Sequence, residues 1–285
     1  MVVIIGLVIV LVAVLVGFTM AGGHIGALIH LSEFVTIGGA SLGALIIMSP
    51  KKVLLDLVRG MIQVIKGSPY NRKTYVELFE LMYSIAWLVR REGIIALDAH
   101  LSNPKTSSLF QKYPRISKNH HALEFICTGL ALLSDGKPDA KQLNEALEEE
   151  MKVIEREHHA AIQAMTKTAD ALPGFGIVAA VLGIVVTMQA IDGPASEIGH
   201  KVGAALVGTF LGILLSYGFF APMAGRMEFL GESEQTFLRA VAAGIIAIGV
   251  GENPRNAINR ARRIVGTDCR PNHNEMTEIF KATAA

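Results

Sequence analysis

The side chains in this chain with the most obvious capacity for chemistry are its histidines and the acids beside them. The run Glu155-Arg156-Glu157-His158-His159 brings acids and imidazoles together. A zinc-binding helix, however, carries its two histidines four positions apart so that both face the metal. Here they are adjacent, so the run reads as a solvated helical face. His120-His121 has no partner motif either. There is no Gly-x-Ser-x-Gly, no phosphate-binding glycine loop and no Cys-x-x-Cys; Cys127 and Cys269 are too isolated to form a disulfide framework or a zinc site. No enzyme activity, catalytic residue, metal site or cofactor is expected.

Ion transport is the other chemistry to consider, because four stretches of the chain are apolar enough to cross a membrane. Carrying an ion through lipid usually needs an ionisable group at depth, and such groups are costly there. The third and fourth apolar stretches, Pro173 to Ile191 and Val202 to Ala221, have none. They offer Thr187, Thr209, Ser216 and Tyr217, which can hydrogen-bond but hold no charge. If the chain conducts protons, the titrating carboxylate is expected on a partner's helix. His24, His30 and Glu33 lie in or near the link between the first two stretches; of two readings, groups that titrate near an ion entrance or a wetted loop, the wetted loop is expected.

Two further groups have open readings. Arg90, Arg91, Glu92 and Asp98 form a mixed-charge patch near an expected helix end. It is either a solvated surface, since exposed ion pairs contribute little, or a docking face where complementary charge sets register. Pro173 stands where a long helix enters the third stretch, and Pro222 where the fourth ends. Each should end or kink its helix, as ordinary punctuation or as a hinge.

The elements that carry these residues follow from hydropathy and charge. Val2 to Ala21 is uncharged. At about 1.5 Å per residue it spans the ~30 Å of a hydrocarbon core. Nothing positive precedes it and it is long, so a retained helix is expected rather than a signal peptide. Phe34 to Met48 is shorter and rich in small residues. Of the 26 Lys and Arg residues, 17 fall between residues 51 and 170 and 8 between 223 and 285, while the links 22–33 and 193–200 have none. Positive residues stay on the cytoplasmic side, so both long segments, and both termini, are expected in the cytoplasm. A net charge of +1 argues against nucleic acid as a partner.

Small residues set four apart let helices approach closely in lipid. Gly39 and Gly43 do this in the second stretch and Gly208 and Gly212 in the fourth, with Gly176, Ala179, Ala180 and Gly183 in the third. The first stretch is nearly all Val, Leu and Ile, which suits a lipid-facing helix. Residues 73–92 place apolar groups at helical spacing, with a stop at Gly93 and a break at Asn103-Pro104. Further helices are expected over 117–133 and from Ala140 almost to Pro173, separated by the turn Asp135-Gly136-Lys137-Pro138. The fold class is an all-α membrane protein with four transmembrane helices and a large helical cytoplasmic domain. Its segments are 1–50 (helices one and two), 51–172 (cytoplasmic), 173–222 (helices three and four) and 223–285 (cytoplasmic).

The stretch ALVGTFLGILLSYGFFAP, Ala205 to Pro222, resembles the signature of flagellar stator A subunits. DALPGFGIVAAVLGIV, Asp170 to Val185, is similar to their third membrane segment, and LVRREGIIALDAHLSNP, Leu88 to Pro104, to their rotor-facing loop. The resemblance covers nearly the whole chain. It implies that Arg90 contacts the rotor's switch-ring protein (FliG-like), with Asp98 standing where the family usually has Glu, one methylene longer. Glu150 matches another family acid, Pro173 and Pro222 the conformational prolines, and Thr209 the residue facing the partner's carboxylate. Sodium-driven relatives carry extra threonines where this chain has Ala180 and Gly208, which implies protons as the driving ion. The resemblance further implies an inner-membrane homo-oligomer, a pentamer around a dimer of a MotB-like B subunit, that turns ion flow into torque. Two alternatives are an ExbB- or TolQ-like energising subunit, which would have three membrane helices and a periplasmic N-terminus, and a non-conducting membrane scaffold.

Overall fold

The structure is a computed structural model that describes residues 2–136, 139–189 and 191–282. Every regular element among the described residues is helical. In chain order these are α1 (Val2–Met20), α2 (Leu31–Met48), α3 (Lys51–Lys66), α4 (Arg72–Glu92), the short α5 (Asp98–Leu101), α6 (Ser108–Gln111) and α7 (Pro114–Ser117), then α8 (His120–Gly136), α9 (Ala140–Met188), α10 (Ala195–Leu215), α11 (Ala221–Gly249), α12 (Pro254–Ile264) and α13 (His273–Ala282). Of the turn expected at residues 135–138, Lys137 and Pro138 lie outside the described residues.

The chain forms two compact units, Met1–Gly67 with Glu157–Leu230, and Ser68–Arg156 with Gly231–Ala285. All four helices long and apolar enough to cross a membrane have apolar parts in the first unit: α1, the segment Ile25–Met48, the C-terminal part of α9, and the run that begins with α10. α1 buries none of its side chains, as its all-round Val, Leu and Ile composition requires of a helix whose solvent is lipid. By contrast α2 buries Glu33, Ile37 and Ser41, one residue per turn, all on one face. Ile37 packs with Leu172 and Ala179 of α9 and Leu211 of α10. Farther along, α3 buries Leu57 and Val64 against Ala161, Ala164 and Met165 of α9 and Met223 and Met227 of α11. Its exposed Lys52 pairs with Glu157.

α9 and α10 meet through glycine. A Cβ on Gly176 would lie 2.8 Å from the Gly208 carbonyl oxygen and 3.1 Å from Gly212 Cα. One on Gly212 would lie 2.6 Å from the Leu172 carbonyl oxygen and 2.9 Å from Gly176 Cα. With no hydrophobic force between helices in lipid, such backbone approach supplies the dispersion contacts that hold them.

The second unit has a larger core, in which Leu78, Phe79, Met82 and Tyr83 of α4 are buried with residues of α8, α9, α11 and α12. Asn71 starts α4: its side-chain oxygen accepts from the backbone N–H of Lys73 at 3.0 Å and of Thr74 at 3.3 Å. Gly93 ends it with φ +86°, its N–H donating to the Val89 carbonyl at 3.0 Å. Inside this unit the Tyr70 hydroxyl donates to Glu234 Oε1 at 2.8 Å and accepts from Asn119 Nδ2 at 3.1 Å. That satisfies an acid that is only 5 % exposed.

Of the two outcomes expected at each proline, an end or a kink, neither helix ends. α9 is one helix of 49 residues that passes through Pro173 without ending. A proline inside a membrane helix is tolerated where neighbouring helices and local adjustments re-satisfy the freed backbone, and Leu172 is buried in the α2–α9–α10 cluster. Pro222 does not end its helix either. Just before it, Ser216–Phe220 forms a π-helical turn, with the Ala221 N–H bonded five residues back to the Ser216 carbonyl, and α11 then continues. Widening the turn accommodates a residue that has no N–H to donate.

Candidate functional site

The membrane-side candidates gather where α9 and α10 touch. Ala180 is 9 % exposed on α9 and Thr209 is half-buried on α10. Gly208 ties the two positions together: a Cβ placed on it would be 3.1 Å from Ala179 Cβ and 3.2 Å from the Ala180 backbone nitrogen. Thr209 Cα lies 3.3 Å from where a Cβ of Gly176 would be. So the two positions expected to line an ion path share one glycine-lined helix contact. Thr187, one of the uncharged oxygens noted in the third stretch, donates to the Gly183 carbonyl at 2.8 Å and so is occupied by its own helix.

This contact includes a residue that sequence reasoning placed in a wet loop. Glu33 lies in the first turn of α2, only 6 % exposed, and its Oε2 is buried with no hydrogen-bond partner. A Cβ on Gly208 would come within 2.6 Å of that oxygen. The signal was present in the spacing: Glu33, Ile37 and Ser41 repeat every fourth residue, which puts the acid on the packed face once the helix starts at Leu31. Pro173 is half-buried within α9, and Pro222 is exposed on α11.

The candidates expected to face the rotor, Arg90, Asp98 and Glu150, all lie in the second unit. Arg90 is exposed in the last turn of α4, and neither it, Arg91 nor Glu92 makes an ion pair among the described residues. Past the Gly93 turn and a short 3₁₀ segment, Ile94–Leu97, Asp98 opens α5. It is exposed and accepts from the Ser134 hydroxyl at 2.5 Å, which anchors the carboxylate. Arg90 and Asp98 thus sit at either end of one short connection, both open to a partner. Glu150 is half-buried on α9, about six turns before Pro173 and outside the apolar part of that helix. No hydrogen bond or ion pair joins it to Arg90 or Asp98.

Glu150 faces an acid instead. Burial, and then the Glu124 carboxylate, hold its carboxyl above the ordinary value of 4.5. A carboxyl whose folded pKa is raised favours folding below the unfolded pKa, and that contribution is lost as pH rises through the folded value. Glu150→Gln is therefore expected to raise the unfolding midpoint of the detergent-solubilised protein near neutral pH and to change little below about pH 4. A midpoint lowered equally at both pH values would contradict this.

Comparison with known proteins places the whole chain in one family. Residues 4–93 match the family model of the motility protein A N-terminal region, and residues 117–249 that of the MotA/TolQ/ExbB proton channel family. The chain is 37 % identical to the chemotaxis protein LafT of Vibrio parahaemolyticus over 271 residues, covering 95 % of each. It is 33 % identical to motility protein A of Salmonella typhimurium, covering 99 % of this chain and 96 % of that one. Its fold matches that of the Campylobacter jejuni MotAB structure with a TM-score of 0.77 at 21 % identity, over 95 % of this chain and 98 % of the other. For the Bacillus subtilis MotAB stator complex the TM-score is 0.70 at 24 % identity, over 90 % and 92 %. The chain belongs to the motility protein A family, within the MotA/TolQ/ExbB proton channel family.

Proposed function

We propose that this chain, an ion-conducting flagellar stator subunit by its family and not an enzyme, is driven by protons. In this reading it forms a pentamer around a dimer of a MotB-like subunit in the bacterial inner membrane, with both termini in the cytoplasm. The B subunit's membrane carboxylate takes a proton from the periplasmic side, which removes a costly buried charge. Its contacts with the Thr209 and Ala180 region then loosen, and the ring of A subunits steps around the B dimer. Arg90 and Asp98, with Glu150 on α9, pass that step to the rotor's switch-ring protein. Pro173 and Pro222 are the points at which motion in the membrane reaches the cytoplasmic segments 51–172 and 223–285.

One observation carries the reading: positions Ala180 and Gly208 lack the hydroxyls that would help to coordinate sodium, and they meet in the same helix contact as Thr209. Sodium-driven members of the family carry extra threonines at these two positions, so their absence here supports protons as the driving ion. The Lys and Arg asymmetry supports the orientation. Four helices among the described residues are long enough to span, one more than the energising subunit would have. Native mass measurement of the complex purified with its neighbouring B subunit tests the assembly. Five A chains per two B chains are expected, and an A-only ring would contradict the proposal. Dissipating the proton gradient should stop its action in cells, whereas a scaffold would be indifferent.

A further inference from the structure

We infer that Glu33 is a second protonatable station in the ion path, supplied by this chain rather than by its partner. The inference rests on the stator reading. Glu33 is 6 % exposed, and its Oε2 is buried without a donor among the described residues. A charge on this oxygen has no hydrogen-bond donor to offset its lost hydration, so the site suits a carboxyl that takes up a proton there. A structural carboxylate would instead be met by donors, as Glu234 is by Tyr70.

The location is as informative as the burial. Gly208 leaves the space that Oε2 fills, and any side chain there would begin 2.6 Å from it. That same glycine abuts the backbone at Ala179 and Ala180 and precedes Thr209, so the acid stands among the residues that line the proposed path. His30, at the N-cap of α2, is the ionisable residue nearest to Glu33 along the chain. The other elements packed here are poor in charge. Ile25–Leu28 has no ionisable residue, α9 has none between Asp170 and its end, and the nearest on α10 is Lys201, paired with Glu197 at 3.0 Å. His30 and the first turn of α2 lie at the end of the helix joined to the short link, and Ser41 lies two turns deeper.

The step balances simply. An O–H bond forms on Glu33 as one breaks on hydronium or on protonated His30 at the entrance. The same bond breaks when the proton moves on to water or to the partner's carboxylate, and no electron pair leaves the site.

The test uses the chain with its B subunit in cells lacking their own stator, with bead rotation recorded at low load, where ion transit limits speed, over a range of external pH. Assembled units are counted by a fluorescent tag on B. Glu33→Gln keeps the shape but cannot release a proton. It should slow rotation by about tenfold or more per assembled unit, at the lower end of what a positioned proton-transfer group contributes. Glu33→Asp should retain part of the speed. Unsubstituted speed in Glu33→Gln at every pH would overturn the inference. If Glu33→Gln does not assemble, dicyclohexylcarbodiimide on the unsubstituted complex decides the matter, because it reacts with protonated carboxyls in apolar surroundings. An adduct on Glu33 that fades as pH rises supports the station, and none while the B carboxylate reacts overturns it. Failure of the unsubstituted complex to rotate in any gradient would instead sink the stator reading.

Discussion

Replacing Gly176 with leucine is expected to remove most of the assembled protein from the membrane. The contact it occupies has no room: the first side-chain carbon alone would lie 2.8 Å from a carbonyl oxygen and 3.1 Å from Gly212 Cα, both backbone atoms of α10. Neither can move aside as the end of a flexible side chain would. The helices must therefore separate, which forfeits the packing of Ile37, Leu172, Ala179 and Leu211 around the same contact. Overpacking of this kind typically costs up to about 3 kcal/mol, and more where backbone must shift. Because marginal stability translates into abundance, membrane levels should fall about tenfold. Gly174→Leu is the control, since a Cβ at Gly174 meets nothing within 4 Å. Quantitative immunoblots of membrane fractions check this, and equal levels for the two substitutions would contradict it.

The second large effect is on torque rather than assembly. Reversing both charges, Arg90→Glu with Asp98→Lys, is expected to cut stall torque to less than about a tenth while the number of docked units per motor stays high. Both side chains are exposed, and Arg90 has no ion pair among the described residues, so folding depends little on them. Asp98 does lose the Ser134 hydrogen bond, worth about 1 kcal/mol. Across an interface, by contrast, juxtaposed like charges cost several kcal/mol. Reversing the complementary charges on the rotor protein should restore torque. Unchanged torque in the doubly reversed protein would remove these residues from the coupling surface.

Much of this arrangement is legible in the sequence, and the reasons differ by element. The four spans follow from uninterrupted apolar runs, whose cost in water leaves lipid as the solvent. α4 follows from the three- and four-residue spacing of Tyr75, Leu78, Phe79, Met82 and Ile85, and its end from Gly93, which adopts φ +86°. The charged helix from Ala140 was also legible, but its continuation through Pro173 was not. A proline's local penalty is visible in sequence, whereas the neighbours that compensate for it are tertiary. Gly208 and Gly212 could be read as packing residues, yet only the fold brings Gly208 against Glu33.

Glu33 marks where local reading fails for a physical reason. An acid beside a short polar link is most often hydrated, and although the spacing puts Glu33 on one face with Ile37 and Ser41, it does not say what packs against that face. Its burial is imposed by α10, whose Gly208 lies 175 positions farther along the chain. Arg90, Asp98 and Glu150 show the converse. Their identity is plain in the sequence, but the states of Asp98 and Glu150 are not, because the Ser134 hydroxyl and the Glu124 carboxylate reach those two from α8.

The most direct test of the account is rotation of tethered cells that lack their own stator and carry this chain with its neighbouring B subunit. It should be recorded first in a proton gradient without sodium and then in a sodium gradient with the proton gradient collapsed. Rotation is expected in the first condition and arrest in the second. Rotation that requires sodium would contradict the assignment drawn from Ala180 and Gly208, and no rotation in either, with both chains in the membrane, would contradict the stator role itself.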